Sequence, residues 1–247
     1  MLSAMTFLPL LAAVIVMMMP KTNERLIKNF AILASIPSLI ISIIIWASYD
    51  DGGGYVFVEK FSWIPSIGVQ YHLGVDGLSI PLVVLTTLLM TLSLWYSARV
   101  IHYRVKEFFA LFLLLEVGML GVFVALDLVL FYFFWEIGLV PMFLLIGIWG
   151  QAKDRPQYSA IKFFMYTLVG SVAMLLAFIG IYIATGTWDV TEISTALSGT
   201  FLDDSNAVNL GLATAAFWAI FGAFAIKVPL WPFHTWLPDA HTAAPTA

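Results

Sequence analysis

Apolar runs long enough to cross a bilayer recur along this chain, near residues 2–19, 30–48, 76–98, 108–126, 128–149, 160–184 and 208–227. A hydrocarbon core about 30 Å thick is spanned by roughly 20 residues of helix. Only helices and closed barrels can pair all their backbone groups at that depth. Unbroken runs of this length predict an all-α polytopic membrane protein with about seven transmembrane helices. The last run continues past an interruption to about Leu237. Composition agrees, with 62% hydrophobic and only 11% charged residues, against about 25% charged in globular domains. Cysteine is absent, which excludes disulfides, Fe–S clusters and thiolate metal sites within the chain. A formal net charge of −4 gives no sign of a nucleic-acid partner. The first run has no basic residues before it, and Lys21, Arg25 and Lys28 follow it. It is expected to be a retained helix rather than a signal peptide.

Charge alternates between the connecting segments. Lys21, Arg25 and Lys28 follow the first run. Arg99, Arg104 and Lys106 follow the third, and Lys153, Arg155 and Lys162 surround the start of the sixth. The other segments are acidic, with Asp50, Asp51 and Glu59, then Asp127, then Asp189, Glu192, Asp203 and Asp204; Lys60 is their one cation. Nine of the eleven Lys and Arg residues thus fall on one side. The excess of positive charge in cytoplasmic loops puts these segments inside and the N-terminus outside. The expected aromatic belt is Trp46, Trp63, Trp95, Trp149 and Trp188. His72 and His102 are expected in solvated loops, Asp50–Gly54 in a turn, and Gly170 with Ser171 at a close helix contact.

Ionisable residues inside the apolar runs mark functional sites by default, because burying a charge in hydrocarbon is costly. Lys227 is the cation in AFWAIFGAFAIKVPLWPFHTWLP, where Pro229 and Pro232 break the run just beyond it. Leu210 to Leu237 would extend roughly 42 Å if helical, well beyond the core. Lys227 then lies inside the run; the alternative is a lysine whose ammonium snorkels to the headgroups. The break is expected to leave a non-helical, hydrated segment at about 228–233, with Lys227 turned into the bundle. Glu116 and Glu136 both lie roughly 12–14 Å from a helix end, near mid-bilayer. Either could be a hydrogen-bonded carboxyl joining helices. Beside Glu136, Pro141 removes the amide that would bond the Ile137 carbonyl and weakens the helix there. With Glu136 roughly 6 Å from Lys227 and an effective dielectric of about 20, their attraction would be about 2.8 kcal/mol. His234 and His241 follow the break, and either could relay protons or cap a helix. Two histidines without cysteine make a poor metal site. A buried Glu, Glu, Lys and His series suits a proton or cation path without separating a pump, an antiporter or a channel.

Four segments resemble a known family. YHLGVDGLSIPLVVLTTLL (71–89), DLVLFYFFWEIGLVPMFLLIGIWG (127–150), AIKFFMYTLVGSVAML (160–175) and AFAIKVPLWPFHTWLPDAHTAAPTA (223–247) are similar to the antiporter-like proton-pumping subunits of respiratory complex I. WEIGLVPMFLLIGIWG followed by AIKFFMYTLVGS favours the subunit M branch over subunits L and N and over sodium/proton antiporter subunits. The resemblance implies a proton-loading pair at Glu136 and Lys227, with His234 or His241 next. It implies that residues 1–106 form three leading helices and that 107–247 form most of a first five-helix repeat. Family members are about twice this length, so the chain is expected to be a fragment ending at the entrance to helix 8. The resemblance further implies a proton-translocating subunit of NADH:quinone oxidoreductase with no redox chemistry of its own. NADH, FMN, Fe–S clusters and quinone would belong to the whole complex. Its partners would be the other membrane subunits of complex I and the lipid bilayer, in a bacterial plasma membrane or an energy-converting organelle membrane. The alternatives are a subunit of a cation/proton antiporter and a membrane scaffold whose buried charges are structural.

Overall fold

The computed structural model describes residues 1–50, 53–193 and 207–246; Asp51, Gly52, Asp203 and Asp204 lie outside them. The helices are α1 (Leu2–Met18), α2 (Glu24–Ala47), α3 (Ser79–Val100), α4 (Val105–Val124), α5 (Leu128–Ile137), α6 (Leu139–Trp149), α7 (Pro156–Thr185), α8 (Ala207–Lys227) and α9 (Trp236–Ala243). Five stretches are long and apolar enough to cross a membrane: α2, α3, α4, α5 with α6 together, and α7. Two shorter apolar helices, α1 and Gly211–Lys227, complete the seven runs read from the sequence.

The most deeply buried of these spans is α4, packed against α1, α2, α3, α5 and α6. Glycine makes the approach to α5 close enough. A Cβ on Gly121 would fall 2.0 Å from Phe134 Cγ, and one on Gly118 would fall 2.9 Å from the Gly138 nitrogen. Small residues likewise seat α7 on α8, where a Cβ on Gly170 would lie 3.3 Å from Ala223 Cα. Lipid offers apolar side chains nothing worse than another helix does, so contacts of this kind and interhelical hydrogen bonds hold such bundles together. Pro9 leaves the Met5 carbonyl without its helical amide. Ser38 Oγ on α2 donates to that carbonyl at 2.9 Å. Ser42 and Thr87 hydroxyls meet at 2.9 Å, and Ser35 Oγ donates to Thr91 Oγ1 at 3.1 Å, joining α2 to α3.

The segment read as an acidic loop contains an antiparallel hairpin, β1 (Val56–Ile64) and β2 (Val69–Val75), with Lys60 opposite His72. The expectation of a solvated His72 is corrected: it is 4% exposed on β2. Its Nδ1 lies 2.8 Å from Asp189 Oδ2, where Lys60 Nζ also arrives at 2.8 Å. Asp127 caps α5, accepting from the Val129 and Leu130 amides, and also accepts from Gln70 N at 3.0 Å. Trp188, expected in the aromatic belt, is instead buried. It donates to the Ile67 carbonyl at 2.9 Å and stacks on Tyr182 at 4.2 Å. The hairpin is therefore anchored at the α4–α5 turn and at the end of α7. His102 is exposed as expected.

Candidate functional site

The last apolar run is broken where the prolines stand. Helix α8 stops at Lys227 and the chain turns through 228–232; a single 3-10 turn (Phe233–Thr235) then leads into α9. Without amides on Pro229 and Pro232, backbone acceptors near the helix end need other donors. The Leu230 amide donates to the Ala225 carbonyl at 2.8 Å, and Trp236 Nε1 donates to the Ile226 carbonyl at 2.8 Å. A second interruption, of one residue, lies at Gly138. There α5 ends one residue after Glu136, in the turn that the missing Pro141 amide weakens.

Lys227 is turned into the bundle. Its Nζ sits 5.0 Å from the centre of the Trp135 ring and 5.9 Å from that of Phe163. It lines a cavity of about 350 Å³ with Trp135, Gly138, Phe163, Trp236 and His241. A cation facing aromatic rings keeps some electrostatic stabilisation that hydrocarbon cannot supply. Trp135 is fixed in turn, since its Nε1 donates to Ser171 Oγ at 3.1 Å and Phe131 and Phe224 flank its ring at 5.7 and 5.4 Å. Ser171 Oγ donates back to the Thr167 carbonyl at 3.0 Å.

Glu136 follows Trp135 in the last turn of α5, so its carboxyl and the Lys227 ammonium belong to neighbouring parts of the bundle. No ion pair within 4.0 Å joins the two side chains. One carboxyl oxygen of Glu136 is sealed from solvent with no hydrogen-bond partner. The two side chains are thus not locked in contact. His241 shares the cavity with Lys227. His234 does not line it, and its Nδ1 is buried without a partner. Glu116 is fully buried on α4 with neither oxygen bonded. Its neighbours Leu115 and Met119 line the cavity, whereas Glu116 itself does not.

Sequence reasoning placed Lys227 and Glu136 but missed what surrounds the ammonium, namely Trp135, Phe163 and the Ser171 hydroxyl behind Trp135. The available signal was aromatic residues one helical turn apart, Phe131 and Trp135, in the run that carries Glu136. Among the described residues no group of three or more His, Asp or Glu side chains could hold a metal ion.

Long apolar helices packed into one bundle, two of them interrupted and one ending on an inward-facing lysine, make this an integral membrane protein. Residues 125–247 match the family model described as NADH:quinone oxidoreductase/Mrp antiporter, TM, and the chain belongs to this family. It is 47% identical over 257 residues to NADH-quinone oxidoreductase subunit M of Rhodobacter capsulatus, covering 100% of this chain and 49% of that protein. Its fold matches a chain of respiratory complex I from Thermus thermophilus with a TM-score of 0.82 and 28% identity, over 99% of this chain and 47% of that one. A chain of the Mrp complex from Dietzia sp. DQ12-45-1b has the same fold, with a TM-score of 0.77 and 23% identity, over 98% of this chain and 25% of that one. The chain spans about half the length of the curated relatives it matches.

Proposed function

We propose that this chain is part of a proton-translocating membrane subunit of an NADH:quinone oxidoreductase, the subunit M branch of its family. The observation that carries the reading is Lys227, held at the end of a broken helix against Trp135, with Glu136 the next residue on α5. Lys227 Nζ carries the proton. A carboxylate at Glu136 attracts the ammonium, and neutralising or moving that carboxylate removes the attraction and frees the proton for the next acceptor. His241, which lines the same cavity, would receive it. Pro229 and Pro232 keep α8 from continuing and leave the cavity open beside the ammonium. Glu116 and His234 are buried polar groups next to this path and serve it as secondary acceptors. Residues 1–106 serve as three leading helices and 107–247 as most of one antiporter-like repeat.

NADH, FMN, Fe–S clusters and quinone would act elsewhere in such a complex. The chain has no cysteine to hold a cluster, so no redox step is assigned to it. Its partners are the other membrane subunits and the bilayer, in a bacterial plasma membrane as the Rhodobacter relative suggests. An antiporter subunit is the weaker reading, since the Mrp chain is 23% identical where the subunit M relative is 47% identical. The test places Lys227→Ala and Glu136→Gln separately in the full-length protein within its complex. NADH-driven proton uptake into vesicles should fall at least roughly tenfold, the effect of about 1.4 kcal/mol, while assembly survives. Normal uptake by an assembled Lys227→Ala complex rules out the carrier role. Proton exchange driven by a cation gradient and indifferent to NADH would favour the antiporter.

A further inference from the structure

A second and larger cavity, which Lys227 does not line, lies along the first half of α4. It is about 600 Å³, opens along α1, α4 and α6, and is walled by Leu10, Val14, Ala110, Leu114, Leu144 and Ile148. At one end Arg104, Glu107 and Trp149 close the apolar trough. That end carries the charges of the cytoplasmic side. Lys21 Nζ reaches Glu107 at 2.9 Å with its side chain 73% exposed, and Arg104 lies 3.8 Å from the same carboxylate with its side chain 44% exposed. One carboxylate therefore faces two solvent-accessible cations, so the rim keeps a positive excess. Trp149 is held across the rim by its Nε1 donating to the Tyr103 carbonyl at 2.7 Å.

A long apolar trough with a cationic rim at the headgroup level matches one kind of molecule. We infer that this groove binds an anionic membrane phospholipid, one acyl chain along α1, α4 and α6 and its phosphate on Arg104 and Lys21. A zwitterionic lipid would fill the trough equally but gain less at the rim, because its own cation competes with Arg104 and Lys21. Basic residues near a membrane surface add about a factor of 5 each to attraction for anionic lipid. Removing two should weaken occupancy roughly 30-fold.

The experiment uses the full-length protein in its intact complex, stripped of lipid in detergent. It is reconstituted in phosphatidylcholine vesicles with a trace of phosphatidylglycerol carrying a photoreactive acyl chain, or with phosphatidylcholine carrying the same chain. Cross-linked peptides are then mapped by mass spectrometry. The phosphatidylglycerol probe should label peptides of α1, α4 and α6 and exceed the phosphatidylcholine probe there. Lys21→Gln with Arg104→Gln should remove most of that excess. Ala110→Phe, which fills the trough, should abolish labelling by both probes. Assembly of each variant is checked on native gels, and Arg104→Gln alone serves if the double variant fails to assemble. Equal labelling by the two probes, or labelling indifferent to Arg104, overturns the inference in favour of unselective wetting by lipid. Absence of lipid labelling with cross-links to another protein chain overturns it in favour of a protein-covered groove. Neither result bears on Lys227, so failure here is distinct from failure of the proton-carrier reading.

Discussion

At Lys227 the question is how an ammonium is kept in an apolar bundle without being fixed there. On the proposed carrier role, a direct carboxylate contact would hold it firmly and slow the release of its proton. The structure offers an aromatic face at 5.0 Å and a carboxyl beyond contact distance, which is a softer hold. A cation–π contact contributes about 0.5–2 kcal/mol, depending on desolvation. Trp135→Leu should therefore reduce proton translocation by roughly 2- to 30-fold with assembly intact. Trp135→Phe should recover part of it, since the ring face remains and only the bond to Ser171 is lost. The two variants are compared by NADH-driven proton uptake over a range of pH, because losing the aromatic hold should move the profile as well as lower it. A Leu variant with the wild-type profile would mean that Trp135 only fills space. Lys227 and Glu136 were legible in the sequence because a charge in an apolar run is conspicuous by itself. Trp135 was not, because which aromatic residue faces the ammonium depends on how α5, α7 and α8 pack, and the sequence does not specify that.

The helices follow from apolar length and from proline, and both breaks fall where missing amides place them. The hairpin did not show itself in this way. Its strand alternation is blurred by a register shift between Val56 and Glu59, and its anchors, Asp127 and Asp189, lie 57 and 117 residues beyond the strand residues they meet. Those anchors centre on Asp189, whose side chain is 1% exposed and meets His72, Lys60 and Thr191, with Glu192 on Lys60 and Asp127 paired alongside. Burial pushes the Asp189 carboxyl up, but the hydrogen bonds from Lys60 and Thr191 and the charge of His72 outweigh it and hold it at about 2, below the ordinary 3.8. A depressed carboxyl stabilises the folded state above its unfolded value and loses that contribution as pH falls. The loss should run from about pH 4 down to about pH 2 and amount to about 2 kcal/mol. Asp189→Asn should remove this acid-dependent part, seen as the difference between the melting curves of wild type and variant over that pH window. An identical acid response in both would exclude Asp189 as its source. The α4–α5 contact predicts a plainer result. Gly121→Leu must displace the Phe134 ring, at a cost of about 1–3 kcal/mol or more. Gly222→Ala, whose Cβ would meet nothing within 4 Å, should be neutral or stabilise α8 by up to about 1 kcal/mol. Thermal unfolding of the two variants in detergent checks the contrast.

Over the whole molecule, charge and packing divide the chain into two faces that agree with each other. On one face Lys21 pairs with Glu107, Lys28 lies 3.4 Å from His102, and Trp149 bonds Tyr103. The Gln151 amide there donates to the Ala243 carbonyl at 2.8 Å, tying the α6–α7 loop to α9. These contacts gather the three cationic connections that the sequence set on one side. On the other face the hairpin, Asp127 and Asp189 come together, and the N-terminal ammonium and Ser3 meet Glu59. Lys60, the one cation that broke the loop pattern, is held there by Asp189 and Glu192. An exception neutralised by two carboxylates does not weigh against the orientation that nine other cations set. The three basic loops should therefore face the cytoplasm, with the hairpin outside. The chain has no cysteine of its own, so a single thiol placed at Asn23, Ser66 or Lys153 reports its own side. In the full-length protein in intact cells, a membrane-impermeant thiol reagent should label position 66. Positions 23 and 153 should react only after the membrane is opened. Labelling of 23 or 153 from outside would reverse the orientation. It would also reverse the sides toward which the Lys227 cavity and the Arg104 rim lie, because α4 lines both cavities.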